Sequence, residues 1–276
     1  MSNVTTSIEK VKFFFVGVCK CGTSWIFEIA RKKALMSVPK IKEPYIIDES
    51  PEKREKMVRS LYDSYSEMAD FSNVYYWDPD NAQKIFEYNP DALIIITVRK
   101  PSKRIVSHFE FLKRNGMHTS LSLAEYLEKG DSDHIVARSE YPEMIRRYET
   151  VFGKDNVLIL PLEQLKSEPQ TYLDRLTQFC SLPSLQLEEE DKSPVLKRAT
   201  TRSPLLARSA KGVAVLFRKL KLLKILGKLK DSKVIRGILY REAKGPVTRD
   251  DDFGKLTQQI AKLDEEYETL LTSYGL

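Results

Sequence analysis

Apolar and polar stretches alternate along this chain of 276 residues in a pattern that predicts a parallel sheet covered by helices. Apolar runs typical of buried strands are Lys12–Val18, Leu93–Val98 and Val157–Leu160, and a weaker one is Tyr45–Ile47. Helical stretches lie between and after them, at residues 24–33, 51–68, 81–88, 102–113, 123–128, 141–151, 169–180, about 205–230 and about 253–274. Strands that alternate with helices favour an α/β fold with helices on both faces of the sheet.

The length of the chain suits one large α/β domain or two small ones, and no internal repeat or low-complexity linker divides it. We therefore expect one domain over residues 1–276. Its core would span about 12–183, followed by an irregular segment at 184–204 and a helical C-terminal extension at 205–276.

The composition is that of a soluble globular protein, with 42% apolar and 30% charged residues. No apolar run reaches the roughly 18 residues that a membrane span needs. The run 13–19 is at the lower limit of length for the apolar region of a signal peptide and lacks its cleavage site, so a buried strand is the better interpretation. We expect a cytoplasmic protein.

Cysteine and histidine residues are few and scattered, which argues against a metal centre. Cys19, Cys21 and Cys180 have the wrong number and spacing for a disulfide framework, and no third or fourth ligand lies near the first two. We predict no metal site.

The positive charge is concentrated in one segment. The net charge is +6, and residues 207–244 alone hold twelve Lys or Arg against two acidic residues. A nucleic-acid-binding protein would spread this charge more widely, so we expect no nucleic-acid partner.

The loop after the first strand has the composition of an anion site. Gly17 and Gly22 are four residues apart, as in a P-loop, but Thr23 and Ser24 follow directly and Lys20 lies inside the loop. Glycines let backbone N–H groups approach an anion, and the following helix adds its positive end. The alternative is an ordinary tight turn with a helix cap by Thr23 or Ser24.

A second candidate anion site follows the strand at 93–98. This strand ends in Arg99 rather than in the Asp that holds Mg²⁺ in many NTPases, which favours an anion that needs no magnesium. Arg104 and Ser107 share one face of the next helix, and two guanidinium groups with a hydroxyl suit a phosphate. The alternative is that Arg99 makes surface ion pairs.

Taken together, the two motifs resemble those of sulfotransferases that use 3′-phosphoadenosine 5′-phosphosulfate (PAPS). Residues 17–25, G-V-C-K-C-G-T-S-W, resemble the loop that binds the 5′-phosphosulfate, and residues 99–107, R-K-P-S-K-R-I-V-S, resemble the motif that binds the 3′-phosphate. The motifs occur in the family's order about eighty residues apart, and the resemblance extends over about 12–183, closest to the bacterial and carbohydrate-type branch.

This resemblance implies a three-layer fold with a P-loop NTPase-like core, PAPS as cofactor, its desulfated product PAP, and no metal. It implies Arg99 and Ser107 as ligands of the 3′-phosphate, and Arg202 as a further ligand, although the Pro that usually precedes this Arg is missing. The ligands implied for the phosphosulfate side are Lys20, Cys21, Gly22, Thr23, Ser24 and Trp25.

The resemblance also implies the catalytic pair. Residues 42–45, K-E-P-Y, are similar to a K-E-P-x-F/Y stretch whose Glu is the general base, so Glu43 is the candidate base and Lys20 the cation at the leaving oxygen. Without the resemblance, Glu43 would be an exposed carboxylate. His118, His134 and Trp77 are candidate acceptor-site residues, with core packing as the alternative for Trp77 and equally for Trp25.

We therefore predict sulfuryl transfer from PAPS to a hydroxyl, or as second choice an amine, of a carbohydrate or small molecule. The alternatives are a P-loop kinase of small molecules and a non-catalytic nucleotide-binding protein. Segment 207–244 has three interpretations: a helix packed on the sheet, a cover over an anionic cofactor or acceptor, and a peripheral contact with acidic lipid.

Overall fold

The computed structural model describes residues 10–131, 134–192, 199–201, 240–242 and 252–276. These residues group into two units, the first made of 10–98 with 143–192 and the second of the rest. The single domain over 1–276 stays a prediction.

A parallel sheet of four strands lies at the centre of the first unit. The strands are β1 Phe13–Gly17, β2 Ala69–Asp70, β3 Leu93–Val98 and β4 Val157–Pro161, in the order β2-β1-β3-β4. The central pair is in register with Phe14 beside Ile94. Because helices cover both faces, β1 is buried along its whole length, which explains its uninterrupted apolar sequence.

Helices connect these strands and continue into the second unit. They are α1 Thr23–Lys32, α2 Pro51–Leu61, α3 Asn81–Tyr88, α4 Pro101–Arg114, α5 Leu123–Glu128, α6 Tyr141–Phe152, α7 Leu162–Ser167, α8 Pro169–Phe179 and α9 Thr257–Ser273. Single 3₁₀ turns occur at Ile46–Asp48, Ala137–Ser139, Lys154–Asn156 and Gly254–Leu256. Two further strands, β5 Ala199–Thr201 and β6 Tyr240–Glu242, pair antiparallel.

The first unit has three layers. On one face of the sheet, Phe15 belongs to the same apolar cluster as Ile29 of α1 and Leu176 of α8. On the other face, Phe14 makes an edge contact with Tyr88 of α3, with ring centres 6.1 Å apart. The three-layer α/β fold with a parallel sheet is confirmed, as is a helix at the C-terminal end.

The second unit is helical where α4, α5 and α9 meet. Its apolar cluster includes Phe109 of α4, Leu127 of α5 and Leu263 of α9. Asp264 of α9 accepts hydrogen bonds from the backbone N–H and the hydroxyl of Ser102 at 2.8 and 2.7 Å. This carboxylate caps the N-terminal end of α4.

Two predictions between residues 45 and 68, one of a strand and one of a helix, were wrong. Residues 45–47 form no strand: Tyr45 has a left-handed backbone with φ 55°, and Ile46 and Ile47 are buried in a 3₁₀ turn. The helix expected over 51–68 ends at Leu61, and β2 follows it. The segment between them contains Asp63, Ser64 and Ser66, whose side chains compete with helical hydrogen bonds; for example, Ser64 Oγ accepts from the N–H of Ser66 at 3.3 Å.

The last part of the chain is described only in pieces. The helix expected over 205–230 lies outside the described residues, and so does nearly all of the basic segment 207–244. The expected final helix is present, although its first residues form a 3₁₀ turn. Among the helices that the structure describes, none combines the length and the hydropathy of a membrane span.

An acidic segment is bound to the end of α1. The carboxylate of Asp191 forms ion pairs with Lys32 at 2.8 Å and with Lys33 at 3.1 Å, and its backbone carbonyl accepts the indole N–H of Trp25 at 2.7 Å. The hydrogen bond from Lys32 is the main cause that lowers the pKa of Asp191 to about 2. This carboxylate therefore fastens residues 188–191 to α1.

We expect Asp191 to make stability depend on pH in acid. Because its pKa in the folded protein is about 2, below the usual 3.8, its contribution is present above pH 4 and is lost as the pH falls to 2. Asp191→Asn should therefore be less stable than the wild type at pH 5, and the two should converge towards pH 2. Urea unfolding across this range measures the difference. A difference that is the same at every pH would contradict the assignment.

Candidate active site

The loop that joins β1 to α1, residues 18–22, lies against the segment that follows β2. A Cβ atom on Gly17 would lie 2.3 Å from Cδ1 of Tyr76 and 3.0 Å from the carbonyl oxygen of Asn73. The backbone N–H of Tyr76 donates to the carbonyl of Val16 at 3.1 Å. Only glycine leaves room for this approach at the end of β1. Gly17 therefore fixes where residues 73–76 lie.

The N-terminal end of α1 is available for an anion. Gly22 precedes the helix with φ 95° and offers no side-chain cap, and the first turn contains no acidic residue. The first N–H groups of a helix carry partial positive charge. Lys20, in the middle of the loop, has a left-handed backbone with φ 72°. The helix cap by Thr23 or Ser24 that the sequence allowed is not formed.

Glu43 lies in a small polar network. Its Oε1 accepts a hydrogen bond from the side-chain amide of Asn73 at 3.0 Å, and its Oε2 accepts from the hydroxyl of Tyr45 at 3.1 Å. The side chain is 38% exposed, and the backbone is left-handed with φ 63°. Non-glycine residues adopt this conformation only when the surroundings hold them in it, which is frequent at functional sites. The carboxylate is thus oriented but open to solvent.

Lys42 connects this carboxylate to the loop. Its Nζ donates to Oγ1 of Thr23, the first residue of α1, at 3.0 Å, and it lies 3.8 Å from Oε1 of Glu43. Burial is the main cause that lowers the pKa of Lys42, and the charge of Glu43 opposes it. The loop and Glu43 are therefore joined through one ammonium group.

The residues after β2 support the segment that carries Glu43. Oγ of Ser72 accepts the backbone N–H of Tyr45 at 3.0 Å. The hydroxyl of Tyr75 accepts the N–H of Ile47 at 3.1 Å and donates to Asp70 at 3.2 Å. Asp70 is fully buried, and this burial raises its pKa to about 7. Residues 43–47 are held in place by side chains from the carboxyl end of β2.

The second predicted anion motif belongs to the second unit, which we describe separately. The Nε atom of Arg99 is buried and has no hydrogen-bond partner among the described residues, while its backbone carbonyl accepts the hydroxyl of Tyr141 at 2.6 Å. A buried guanidinium nitrogen without a partner fits an anion ligand. Ser107 is half-buried on α4.

Arg104 has a different role from the one that its place in the motif suggested. Its side chain is fully buried, its Nε donates to Oγ of Ser139 at 2.7 Å, and its Nη2 donates to the carbonyl of Ile135. His108 lies within 3.3 Å of the same guanidinium. Arg104 therefore fastens residues 135–139 to α4.

The other candidate residues occupy different environments. His118 packs edge-on against Tyr126 at 4.8 Å, and His134 is exposed; both belong to the second unit. Trp25 is buried against Tyr172, as in the packing alternative. Trp77 is 39% exposed on the segment that follows β2.

Two further predictions concern Arg202 and the absence of a metal site. Arg202 lies outside the described residues. In the part of the chain that the structure describes, no group of three His, Cys, Asp or Glu side chains has an arrangement that could hold a metal ion.

The chain is similar in sequence to one known protein family. The family model described as "Sulfotransferase domain" matches residues 10–204, which is more than half of the chain. The chain belongs to the sulfotransferase family. The protein is therefore a sulfotransferase enzyme in the broad sense.

One solved sulfotransferase structure shares the fold, and two others show weaker similarity. A sulfotransferase from Alicyclobacillus acidocaldarius is 19% identical, with a TM-score of 0.57 over 79% of this chain and 96% of that one. The sulfotransferase domain of the Synechococcus PCC 7002 olefin synthase is 12% identical (TM-score 0.48, 94% and 95%), and mouse sulfotransferase SULT7A1, solved with PAP, is 18% identical (TM-score 0.42, 73% and 65%). No curated protein sequence is similar enough to this chain to count as a match.

Asn73, Tyr45 and Lys42 contact the site, and the sequence reasoning gave none of them a role. Lys42 and Tyr45 stand in the quoted K-E-P-Y stretch, so their proximity to Glu43 was visible in part. Asn73 gave no such signal, because β2 was not predicted and its carboxyl end was therefore not recognised. In parallel sheets, that end is where ligands bind.

We expect Gly17→Ala to destabilise the protein by about 1–3 kcal/mol, the usual cost of forcing an extra methyl group into a packed region. The clash with Tyr76 would push residues 73–76 away from β1. Gly153→Ala is the matched control, since Gly153 also has a positive φ, 80°, but has nothing within 4 Å of a Cβ. Chemical denaturation compares the two. Equal losses would show that backbone strain, and not the close approach, makes glycine necessary.

Proposed function

We propose that the protein transfers the sulfuryl group of PAPS to a hydroxyl group of a small-molecule or carbohydrate acceptor, with an amine as second choice. PAPS supplies the sulfuryl group and a phosphate leaving group. The observation that carries the proposal is the link from Glu43 through Lys42 to Thr23, which joins a carboxylate to the uncapped N-terminal end of α1 within one unit. A phosphate-binding protein without this chemistry would not need such a carboxylate beside its anion loop.

The loop and α1 would hold the 5′-phosphosulfate. The uncapped helix end, the hydroxyl groups of Thr23 and Ser24 and the ammonium group of Lys20 are donors suited to this anion. Lys20 would stabilise the charge that develops on the leaving phosphate oxygen. In the second unit, the Nε of Arg99, which has no partner among the described residues, and the hydroxyl of Ser107 would bind the 3′-phosphate.

Glu43 would act as the general base. Its hydrogen bonds with Asn73 and Tyr45 orient the carboxylate while leaving it partly exposed to an incoming acceptor. The base takes the proton of the hydroxyl group as the oxygen attacks sulfur, which raises the nucleophilicity of the oxygen at the moment of transfer. His118, His134 and Trp77 stay candidates for contacts with the acceptor.

The cofactor assignment is tested by binding without metal. We expect PAP in the presence of EDTA to raise the melting temperature of the full chain, because the proposed ligands are cationic and need no bridging magnesium. ATP with Mg²⁺ should give a much smaller shift. Lys20→Ala should reduce the PAP shift. Strong stabilisation by ATP with Mg²⁺, and none by PAP, would instead favour the small-molecule kinase.

The role of Glu43 is tested by separating binding from transfer. A screen of acceptor classes with PAPS, read by the mass gain of one sulfuryl group, supplies the acceptor. With it, Glu43→Gln should lower the transfer rate about 10²- to 10⁴-fold, the range typical of a general base, while PAP binding stays unchanged.

Glu67→Gln is the matched control, since Glu67 forms a half-exposed ion pair with Lys12 and has no proposed role. A Glu43→Gln variant as active as this control would remove Glu43 from the mechanism. If no acceptor class is sulfated although PAP binds, the protein is a nucleotide-binding protein without turnover.

A further inference from the structure

Lys42 is a cation whose surroundings in the first unit compensate its charge only in part. Its side chain is 20% exposed. The contacts of its Nζ are the hydroxyl of Thr23 at 3.0 Å and Glu43 Oε1 at 3.8 Å, the latter beyond hydrogen-bond distance. The thiol of Cys19 and the carboxylate of Glu28 act on it electrostatically. Desolvation outweighs these groups, since the pKa of Lys42 is lowered.

The position of this ammonium group is fixed by its partner. Thr23 is buried and is the first residue of α1, so Lys42 Nζ lies beside the uncapped end of the helix. An anion held by the first turn of α1 therefore comes within reach of Lys42. Such an anion would supply the negative charge that the half-buried ammonium group lacks.

We propose that Lys42 is a second cationic ligand of the anion bound at the β1–α1 loop. Through Lys42, the binding of this anion would be coupled to the position of Glu43. The inference rests on the proposed function, because it takes that anion to be the phosphate or phosphosulfate group of PAP or PAPS. Lys42 bridges the loop and the base: one ammonium group contacts the donor oxygen and keeps Glu43 beside it. Donor and base are then in place together.

The test uses PAP and isothermal titration calorimetry on the full chain between pH 7 and 9, where a lysine of ordinary pKa, about 10.4, is already protonated, in buffers of different ionisation enthalpy. The phosphates of PAP are ionised in this range, since the second pKa of a phosphomonoester is about 6. Any protons taken up on binding are therefore bound by groups of the protein. We expect the wild type to take up protons as the pH rises, because the bound anion favours the charged form of Lys42.

Three variants test whether Lys42 takes up the protons on binding and contributes to the affinity for PAP. Lys42→Gln should bind PAP about 10- to 100-fold more weakly, as expected for the loss of one charge-assisted hydrogen bond, and should show no uptake. Lys42→Arg should keep most of the affinity but show no uptake, since a guanidinium stays charged. Cys19→Ser should retain the uptake, which separates Lys42 from the neighbouring thiol.

Lys40→Gln is the matched control: Lys40 lies two residues earlier and pairs with the exposed carboxylate of Asp63. It should bind PAP and take up protons as the wild type does. Uptake that persists in Lys42→Gln or Lys42→Arg, or wild-type affinity in Lys42→Gln, would overturn the inference. If Lys42→Gln does not fold, Lys42→Arg decides alone. A wild-type chain that does not bind PAP would refute the proposed function as well.

Discussion

The close approach of residues 73–76 to Gly17 is the constraint on which the geometry of the first unit's site depends. It brings Asn73, at the carboxyl end of β2, beside the loop that follows β1. Asn73 then orients Glu43, and its neighbours Ser72 and Tyr75 hold the backbone on which Glu43 stands. The absence of a side chain on Gly17 thus allows the carboxylate of Glu43 and the start of α1 to belong to one polar network.

The helices that follow β1 and β3 use their N-terminal ends differently. The end of α1 has no side-chain cap and no acidic residue in its first turn, whereas Asp264 caps the end of α4. A carboxylate that already occupies a helix end competes with any further anion. Under the proposed function, anion binding in the second unit would rest on side chains, chiefly on Arg99, whose Nε has no partner among the described residues, whereas in the first unit it would use the backbone as well.

The sequence was informative where burial was continuous and where glycine had a steric role. β1, β3 and β4 were predictable because strands covered on both faces are apolar throughout, and the loop with Lys20 was visible from its glycine spacing. β2 was not, since a strand of two residues has no periodicity to detect. The apolar residues at 45–47 are buried in a turn, and a short apolar run does not distinguish the two structures. Arg104 matched a motif, yet its guanidinium is fully buried against residues 135–139, a contact that arises only in the folded chain.

The environments of the two tryptophans of the chain are opposite. Trp25, in the first turn of α1, is buried with its indole N–H bonded to the carbonyl of Asp191, while Trp77 is exposed on the segment that carries Asn73. An indole in an apolar, hydrogen-bonded site emits at shorter wavelength than one in water and is shielded from soluble quenchers. The unmodified protein therefore contains two distinguishable fluorophores, one buried in the first turn of α1 and one at the surface on the segment that contains Asn73.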